Sequence, residues 1–237
     1  MADSSTGIFA TYAGDYASRG LRVFPVGGED GKIPQIKGWP EWATTQPENW
    51  MIGKFPDANI GVLDGVGITR VDIDDPELFD CALARFGPTP LVAQTPSGGS
   101  HLWYRSNGEY RATRLEDMKI DILGKGGFGV APPSIRPGLG NYSFRTGGVE
   151  DIGRLPNIRR SALPDWIFVH PDERRTPTKL KPSGKKIADM VERDGRNGSL
   201  FRSCLRLAKG GEANRITFAQ LWLKIASLQS LCARQRY

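Results

Sequence analysis

The sequence predicts an α+β fold up to about Pro171, followed by a basic linker and a small helical region. Short β-branched runs, separated by glycine turns, recur between Leu21 and Ala131. Few segments there have helical periodicity, whereas every segment after Lys186 does. Strand-rich and helix-rich stretches that follow one another are typical of α+β chains. We therefore divide the chain into residues 1–170, a linker at 171–185 and a helical region at 186–237.

The first segments can be assigned from their periodicity. Ile8, Tyr12 and Tyr16 recur every four residues and predict a helix that is closed by Gly20. Leu21–Val26 predicts a strand. The Pro- and Trp-rich stretch 29–56 has no clear period and predicts a structured loop, with a short helix at 47–55.

The centre of the chain predicts three β-hairpins and one helix. The helix covers Pro76–Phe86, because proline favours a first turn and Gly87 follows the last one. Each hairpin consists of two apolar runs joined by a glycine-containing turn. The three pairs of runs are 59–64 with 67–74, 91–95 with 100–105, and 119–123 with 128–131.

Basic residues accumulate after the strand-rich region. Six cations and no acid lie between Arg174 and Lys186, and the whole chain carries a formal charge of +6. Such a balance favours a polyanionic partner. A solvated linker explains the same stretch equally well. Apolar spacing beyond it predicts helices at 186–193, 199–209 and 217–233.

Composition argues against several classes of protein. The 237 residues contain no apolar run near the roughly 18 residues that span a bilayer. The first residues, Met1–Gly7, lack a signal-peptide pattern, and the three cysteines form no CxxC pair. These features predict a cytoplasmic protein with no membrane partner.

Two carboxylates on one strand carry the most chemical information. Alternate side chains share one face of a strand, so Asp72 and Asp74 project together while Val71 and Ile73 face the core. Neighbouring carboxylates repel one another unless a cation lies between them, and a hard divalent ion prefers oxygen ligands. The alternative is a strand end with two solvated acids.

A glycine turn and a histidine follow on the next hairpin. The turn Pro96–Gly99 exposes successive backbone N–H groups, which suit an anionic phosphate, so Ser97, Gly98, Gly99 and Ser100 are candidate phosphate contacts. His101 opens the next strand, where it could bond that phosphate or transfer a proton. The alternative is an ordinary turn and a packed histidine.

Asp121 and the glycine loop after it complete the set. Asp121 lies near the start of a strand and is a candidate third metal ligand. Lys125, between Gly124 and Gly126, could reach a triphosphate or a template phosphate as a point charge, although an exposed turn lysine is the alternative. Together these residues match the inventory for two-metal phosphoryl transfer.

At these residues the chain resembles the primase-polymerase (Prim-Pol) domains of the archaeo-eukaryotic primase superfamily, found in phages, plasmids and integrated elements. The family's hydrophobic-Asp-x-Asp motif is matched by Val71–Asp74. Its small-x-His motif is matched by Gly99–His101, and its hydrophobic-Asp motif by Ile120–Asp121. The resemblance covers about residues 8–170, and the order and spacing of the motifs make it specific.

The resemblance implies an RRM-like catalytic core and a smaller α/β subdomain, with the site in the cleft between them. It implies that Asp72, Asp74 and Asp121 bind two Mg²⁺ or Mn²⁺ ions, and that His101 contacts the nucleotide's triphosphate. The implied activity is DNA primase or polymerase, acting with (d)NTPs on a primer and a single-stranded DNA template. Some relatives carry zinc, but the scattered cysteines predict none here.

Further partners are expected on weaker grounds. Four basic residues are candidates for nucleic-acid contacts: Lys32, Lys37, Arg174 and Arg175. Many relatives continue into a helicase, so a helicase in cis or in trans is a possible partner. Two other functions remain open from the sequence: a non-catalytic module that binds single-stranded nucleic acid, and a metal-dependent nuclease.

Overall fold

The computed structural model describes residues 7–174. Backbone contacts divide the chain into two units, Met1–Thr176 and Pro177–Tyr237, and the described residues all belong to the first. The predicted C-terminal helices, most of the predicted linker and Arg175 lie outside the described residues. Within residues 7–174, no helix is long and apolar enough to span a membrane.

Helices and antiparallel strands alternate irregularly, as the α+β prediction requires. The α-helices within residues 7–174 are α1 (Ile8–Ser18), α2 (Trp39–Trp42), α3 (Asn49–Lys54) and α4 (Phe79–Phe86). Short 3-10 helices cover Pro76–Leu78, Leu115–Asp117, Val149–Arg154, Arg160–Ala162, Asp165–Phe168 and Pro171–Glu173. Helix α1 and the short helix α3 confirm the sequence predictions, whereas α2 was not predicted.

The strands form two main sheets. The first sheet has the order β2-β1-β3-β8 and contains β1 (Val23–Gly27), β2 (Ile33–Pro34), β3 (Asn59–Leu63) and β8 (Phe128–Ala131). The second sheet has the order β11-β5-β6-β4-β7 and contains β4 (Ile68–Ile73), β5 (Val92–Gln94), β6 (Ser100–Arg105), β7 (Ile120–Leu123) and β11 (Ser143–Thr146). A separate two-stranded ribbon pairs β9 (Ile135–Arg136) with β10 (Gly140–Asn141).

Two of the three predicted hairpins are wrong. Strand β3 pairs with β1 and β8, while β4 pairs with β6 and β7, so the first predicted hairpin divides between the sheets. The third divides in the same way, because β7 joins β4 and β8 joins β3. Only β5 and β6 pair as predicted. Alternation and a glycine turn identify a strand end, but they do not specify which strand becomes its partner.

The main core lies between α1 and the two sheets. Phe9, Ala13 and Tyr16 of α1 pack with Val62 of the first sheet and Trp103 of the second. The Tyr16 hydroxyl also donates to the Pro132 carbonyl at 2.5 Å. Burying each large apolar side chain contributes about 1.5–3 kcal/mol, which holds the two sheets together at this core.

Candidate active site

The predicted carboxylates and histidine form a row across three strands of the second sheet. Asp72 of β4 lies directly opposite His101 of β6 on one side and Asp121 of β7 on the other. Directly opposite residues of antiparallel strands project to the same face. The structure therefore brings His101, Asp72 and Asp121 together on one face, although 20 and 29 residues separate consecutive members.

Asp72 and His101 are in contact within this row. The His101 Nε2 atom lies 3.4 Å from Asp72 Oδ1; His101 is buried and Asp72 is half-buried. Burial raises the pKa of Asp72, but the charges of His101, Lys32 and Arg70 outweigh burial and leave that pKa below its ordinary value. Asp72 therefore stays anionic at neutral pH.

Asp74 is exposed beside this row, and Asp121 is the remaining member of the row. Asp74 follows the last residue of β4, and its N–H donates to the Lys119 carbonyl at 3.1 Å. Burial and then the charges of Asp72 and Asp121 raise the pKa of Asp74 above its ordinary value. Three carboxylates thus act on one another at this sheet edge, an arrangement that a divalent cation stabilises.

A strained backbone orients Asp121. The N–H of Arg114 donates to Asp121 Oδ1 at 2.7 Å, and Arg114 adopts the left-handed conformation with φ of 48°. A non-glycine residue in that region costs roughly 1–3 kcal/mol and is often found at functional sites. The segment before β7 therefore fixes the third carboxylate from outside the sheet.

The predicted phosphate turn lies against the strand end that bears Asp74. The turn closes through Thr95 N–H donating to the Gly99 carbonyl at 2.9 Å and Gly98 N–H donating to the Thr95 carbonyl at 3.0 Å. Gly98 requires the left-handed region, with φ of 90°. Ser97 is exposed, whereas Gly99, Ser100 and His101 are buried. The turn thus brings the predicted nucleotide contacts next to the carboxylates.

Gly99→Ala should damage this turn. A Cβ at Gly99 would lie 2.5 Å from the Ile73 carbonyl oxygen and 3.0 Å from Thr95 Oγ1. Overpacking of this kind costs about 1–3 kcal/mol, measured as a loss of unfolding free energy in urea. The turn must also move away from Asp74, so we expect weaker nucleotide binding.

Gly14→Ala is the matched control for Gly99→Ala. A Cβ at Gly14 in α1 meets no atom within 4 Å. That change should keep or raise stability, since alanine favours a helix by about 1 kcal/mol over glycine. Equal urea stability and nucleotide affinity for both variants would contradict the role of close packing at Gly99.

A comparison with protein-family models identifies this architecture. The model for the N-terminal domain of bifunctional DNA primase/polymerases, Prim-Pol, matches residues 13–166, about two thirds of the 237-residue chain. The chain belongs to the Prim-Pol family. The matched segment contains the whole row of Asp72, His101 and Asp121, together with the phosphate turn. No curated protein sequence matches the chain.

Membership of the Prim-Pol family makes the chain a nucleotidyltransferase-like protein of the primase-polymerase class. The observed row lies on the three family motifs recognised in the sequence. Their adjacency across β6, β4 and β7 is a property of the fold, because consecutive motifs lie on different strands.

The carboxylates fit hard divalent ions in their chemistry. Asp72 Oδ1 is buried and makes no hydrogen bond of good geometry among the described residues, its polar neighbour being His101 Nε2 at 3.4 Å. Asp74 and Asp121 add carboxylate oxygens at the same edge. Buried polar atoms are normally satisfied, so this weakly bonded oxygen favours an ion as a further partner. Within residues 7–174 no three His, Cys, Asp or Glu side chains are grouped tightly enough to enclose an ion as they stand.

Lys32 is the predicted basic residue that the Prim-Pol fold brings to the carboxylates. It follows the turn after β1, and its charge helps to lower the pKa of Asp72 and offsets part of the rise in the pKa of Asp74. The buried Asn59 side chain fixes this turn by donating to the Gly31 carbonyl at 2.9 Å and accepting from the Ile135 N–H at 2.8 Å. Lys37 is exposed in the segment after β2, beyond these contacts.

Lys125 and Arg174 lie away from the carboxylates of Asp72, Asp74 and Asp121. Lys125 is four residues beyond Asp121, or about 13 Å along an extended chain, at the opposite end of β7 from Asp74. Its ammonium lies over the Tyr110 ring, 5.3 Å from the centroid. Arg174 borders the same depression as Lys125. The structure therefore separates these two residues from the other predicted contacts.

The sequence did not indicate the buried ion pair next to the row of His101, Asp72 and Asp121. Arg70 and Asp64 are fully buried, and Arg70 Nη2 lies 2.8 Å from Asp64 Oδ2. The same Arg70 nitrogen donates to the Val62 carbonyl of β3 at 3.0 Å, so a side chain from the second sheet bonds the first. The signal was an arginine inside a β-branched strand, two residues before Asp72 and therefore on its face.

Tyr142 is a second residue that the sequence did not indicate. Its ring centroid lies 6.0 Å from that of His101, and the side chain is buried. Burial, and then the charge of Asp72, raise the pKa of Tyr142 to about 12, so its hydroxyl stays protonated. Asn141 and Ser143 flank it without any apolar alternation, so no pattern distinguishes it in the sequence.

Proposed function

We propose that this chain is a DNA primase or polymerase that transfers a nucleotidyl group from a (d)NTP to a primer or an initiating nucleotide on a single-stranded DNA template. One observation carries the proposal. Within a Prim-Pol domain, Asp72 lies directly between His101 and Asp121 on one face of the sheet. A site with that composition suits phosphoryl transfer rather than simple strand binding.

The carboxylates of Asp72, Asp74 and Asp121 would hold two Mg²⁺ or Mn²⁺ ions. Such ions activate the attacking hydroxyl and stabilise the charge on the leaving pyrophosphate. Asp72 provides a ligand that is charged at neutral pH, since its pKa lies below its ordinary value. Asp121 is held in place by the Arg114 N–H, which limits the reorganisation needed to bind an ion.

The phosphate turn and its neighbours would hold the triphosphate. Ser97 and Gly99 would offer backbone N–H groups beside Asp74, whereas the Gly98 N–H closes the turn on the Thr95 carbonyl. His101 would offer Nδ1, which has no hydrogen-bond partner among the described residues. Lys32 supplies a positive charge from the opposite sheet. Donors from a turn, a strand and a second sheet would thus fix the nucleotide from several directions.

The second sheet corresponds to the RRM-like half in this proposal. Strand β4, helix α4, strands β5 and β6, and finally β7 follow in sequence, and their spatial order is β5-β6-β4-β7 with all pairs antiparallel. That is the order of a β-α-β-β-α-β unit, with the 3-10 turn Leu115–Asp117 in place of the second helix. The first sheet and α1 then form the smaller half.

A primer-extension assay tests the proposal. The full chain is incubated with labelled primer on a single-stranded template, with Mg²⁺ or Mn²⁺ and with dNTPs or NTPs. We expect products longer than the primer only when both ion and nucleotide are present. Products shorter than the primer, formed without nucleotides, would instead identify a nuclease. Binding with no change in primer length under any condition would identify a non-catalytic module.

A further inference from the structure

A basic and aromatic surface lies at the end of β7 farthest from the carboxylates. It surrounds a shallow depression of about 470 Å³ that is bordered by Arg111, Lys125, Trp166 and Arg174. The Tyr110 ring lies beneath the Lys125 ammonium. We call these five residues the distal surface. The proposed transfer reaction uses none of them.

The charge of the distal surface is uncompensated. Three cations and no acid border the depression, and neither Arg111 nor Lys125 forms an ion pair with any residue in 7–174. Four acids adjoin these residues in the sequence. Glu109 is buried and accepts from the Thr69 hydroxyl, Asp165 pairs with Arg160, and Asp172 lies 3.4 Å from His170 Nδ1, while Glu173 forms no ion pair with any residue in 7–174. Unpaired cations around a depression favour a ligand that carries several negative charges.

One exposed ring and one half-buried ring accompany the cations. Trp166 is 43% exposed, and the Arg174 guanidinium lies 4.8 Å from the centroid of its ring. Arg174 Nη2 is buried without a hydrogen-bond partner among the described residues. Tyr110 adds a second ring beside Lys125. Alternating rings and cations suit single-stranded nucleic acid, whose bases stack on the rings while its phosphates meet the cations.

One backbone segment connects the distal surface with the candidate active site. The segment Tyr110–Ala112 runs along the edge of β7, where Ala112 and Ile122 exchange two backbone hydrogen bonds of 3.0 and 2.8 Å. Two residues later, Arg114 bonds Asp121. At most about 13 Å of extended chain separates Lys125 from Asp121, which a few nucleotides of a single strand can span.

We propose that the distal surface binds single-stranded DNA and holds the template strand a few nucleotides from the carboxylates. This position for the template rests on the proposed function, whereas binding of a single strand does not. A duplex is a poorer ligand, because its bases are stacked on one another and cannot stack on Trp166 or Tyr110. Lys125 then contacts the strand and not the nucleotide triphosphate.

Charge-matched variants test the cations. Affinity for a fluorescent oligo(dT) 12-mer is measured by anisotropy at several salt concentrations, without nucleotides. Losing two phosphate contacts should lower the salt slope by about 1.4 and weaken binding about 20-fold at 0.1 M salt. We expect this for Arg111→Gln/Lys125→Gln. The control Arg19→Gln/Lys54→Gln removes two exposed cations elsewhere and should bind like the wild type.

Exposure-matched tryptophan variants test the ring. Trp166→Leu should weaken binding by about 5-fold to 150-fold, the range measured for one stacked base. Trp50, which is 40% exposed on α3, provides the control Trp50→Leu. Circular dichroism checks that both variants stay folded. If either tryptophan variant unfolds, the Arg111→Gln/Lys125→Gln variant alone tests the distal surface.

The outcomes separate the two proposals. Wild-type affinity in the Arg111→Gln/Lys125→Gln variant, or an equal loss in its control pair, would overturn the distal surface. An equal loss of duplex and single-strand binding would overturn its preference for single strands. Loss of single-strand binding confined to the distal variants supports the surface, even if the wild type extends no primer. In that case only the transfer reaction fails.

Discussion

Asp72→Asn should abolish primer extension while leaving the fold intact. Asp72 is the centre of the row, opposite His101 on one side and Asp121 on the other. Metal ions in such sites supply several kcal/mol of charge stabilisation, and losing about 4 kcal/mol slows a reaction about 1000-fold. The neutral amide keeps the shape of the side chain but removes the charge that favours a cation.

Asp15→Asn is the control for this variant. Asp15 is an exposed carboxylate on α1, so the substitution makes the same change of atoms away from the sheet. It should extend primers at the wild-type rate, and both variants should give the wild-type circular dichroism spectrum. Extension by Asp72→Asn within about tenfold of the wild-type rate would be incompatible with a charge role for Asp72.

The candidate site was more predictable from the sequence than the pairing of the strands. Asp72 and Asp74 share a face through strand geometry alone, and the family resemblance connected them with His101 and Asp121. The register that places Asp72 opposite both partners comes from strand order, which alternation does not encode. The predicted pairing of β3 with β4 was wrong for the same reason, since the Gly65–Gly67 turn crosses between sheets.

Contacts between distant segments could not be predicted. Lys32 reaches the carboxylates because Asn59 fixes the turn before it, and that contact depends on the position of β3 beside β1. Lys125 looked like a phosphate contact because it lies in a glycine loop near Asp121. Four extended residues place it at the other end of the strand. Short sequence separation is therefore a poor guide to proximity along a strand.

The largest expected change in stability follows from removing one member of the buried ion pair. Arg70→Met should lower the unfolding free energy by about 3–5 kcal/mol, because it leaves the Asp64 carboxylate buried without its partner. Arg70 also bonds the Val62 carbonyl and stacks over Trp103, 4.8 Å from the ring centroid. The substitution therefore weakens the link between the two sheets as well as the ion pair.

The pH dependence of this variant has a defined sign. In the wild type, burial raises the pKa of Asp64 to about 6, although Arg70 opposes the shift. Without Arg70 the folded-state pKa must rise further, whereas the unfolded value stays near 3.9. A group whose pKa is higher in the folded state than in the unfolded state favours the folded protein at low pH. This contribution is lost as the pH rises. The loss of unfolding free energy caused by Arg70→Met should therefore be smaller at pH 5 than at pH 8.

A double-mutant cycle separates the charge from the packing. Asp64→Leu removes the carboxylate, and Arg70→Met/Asp64→Leu removes both charges. If the ion pair itself stabilises the fold, the double variant should lose less unfolding free energy than the two single variants together. The expected difference is about 0.5–3 kcal/mol, measured by urea unfolding of the full chain. Strict additivity would mean that Arg70 acts through its bonds to the first sheet. Arg70 also lowers the pKa of Asp72. Primer extension by the double variant would then show whether the positive charge of Arg70 supports catalysis.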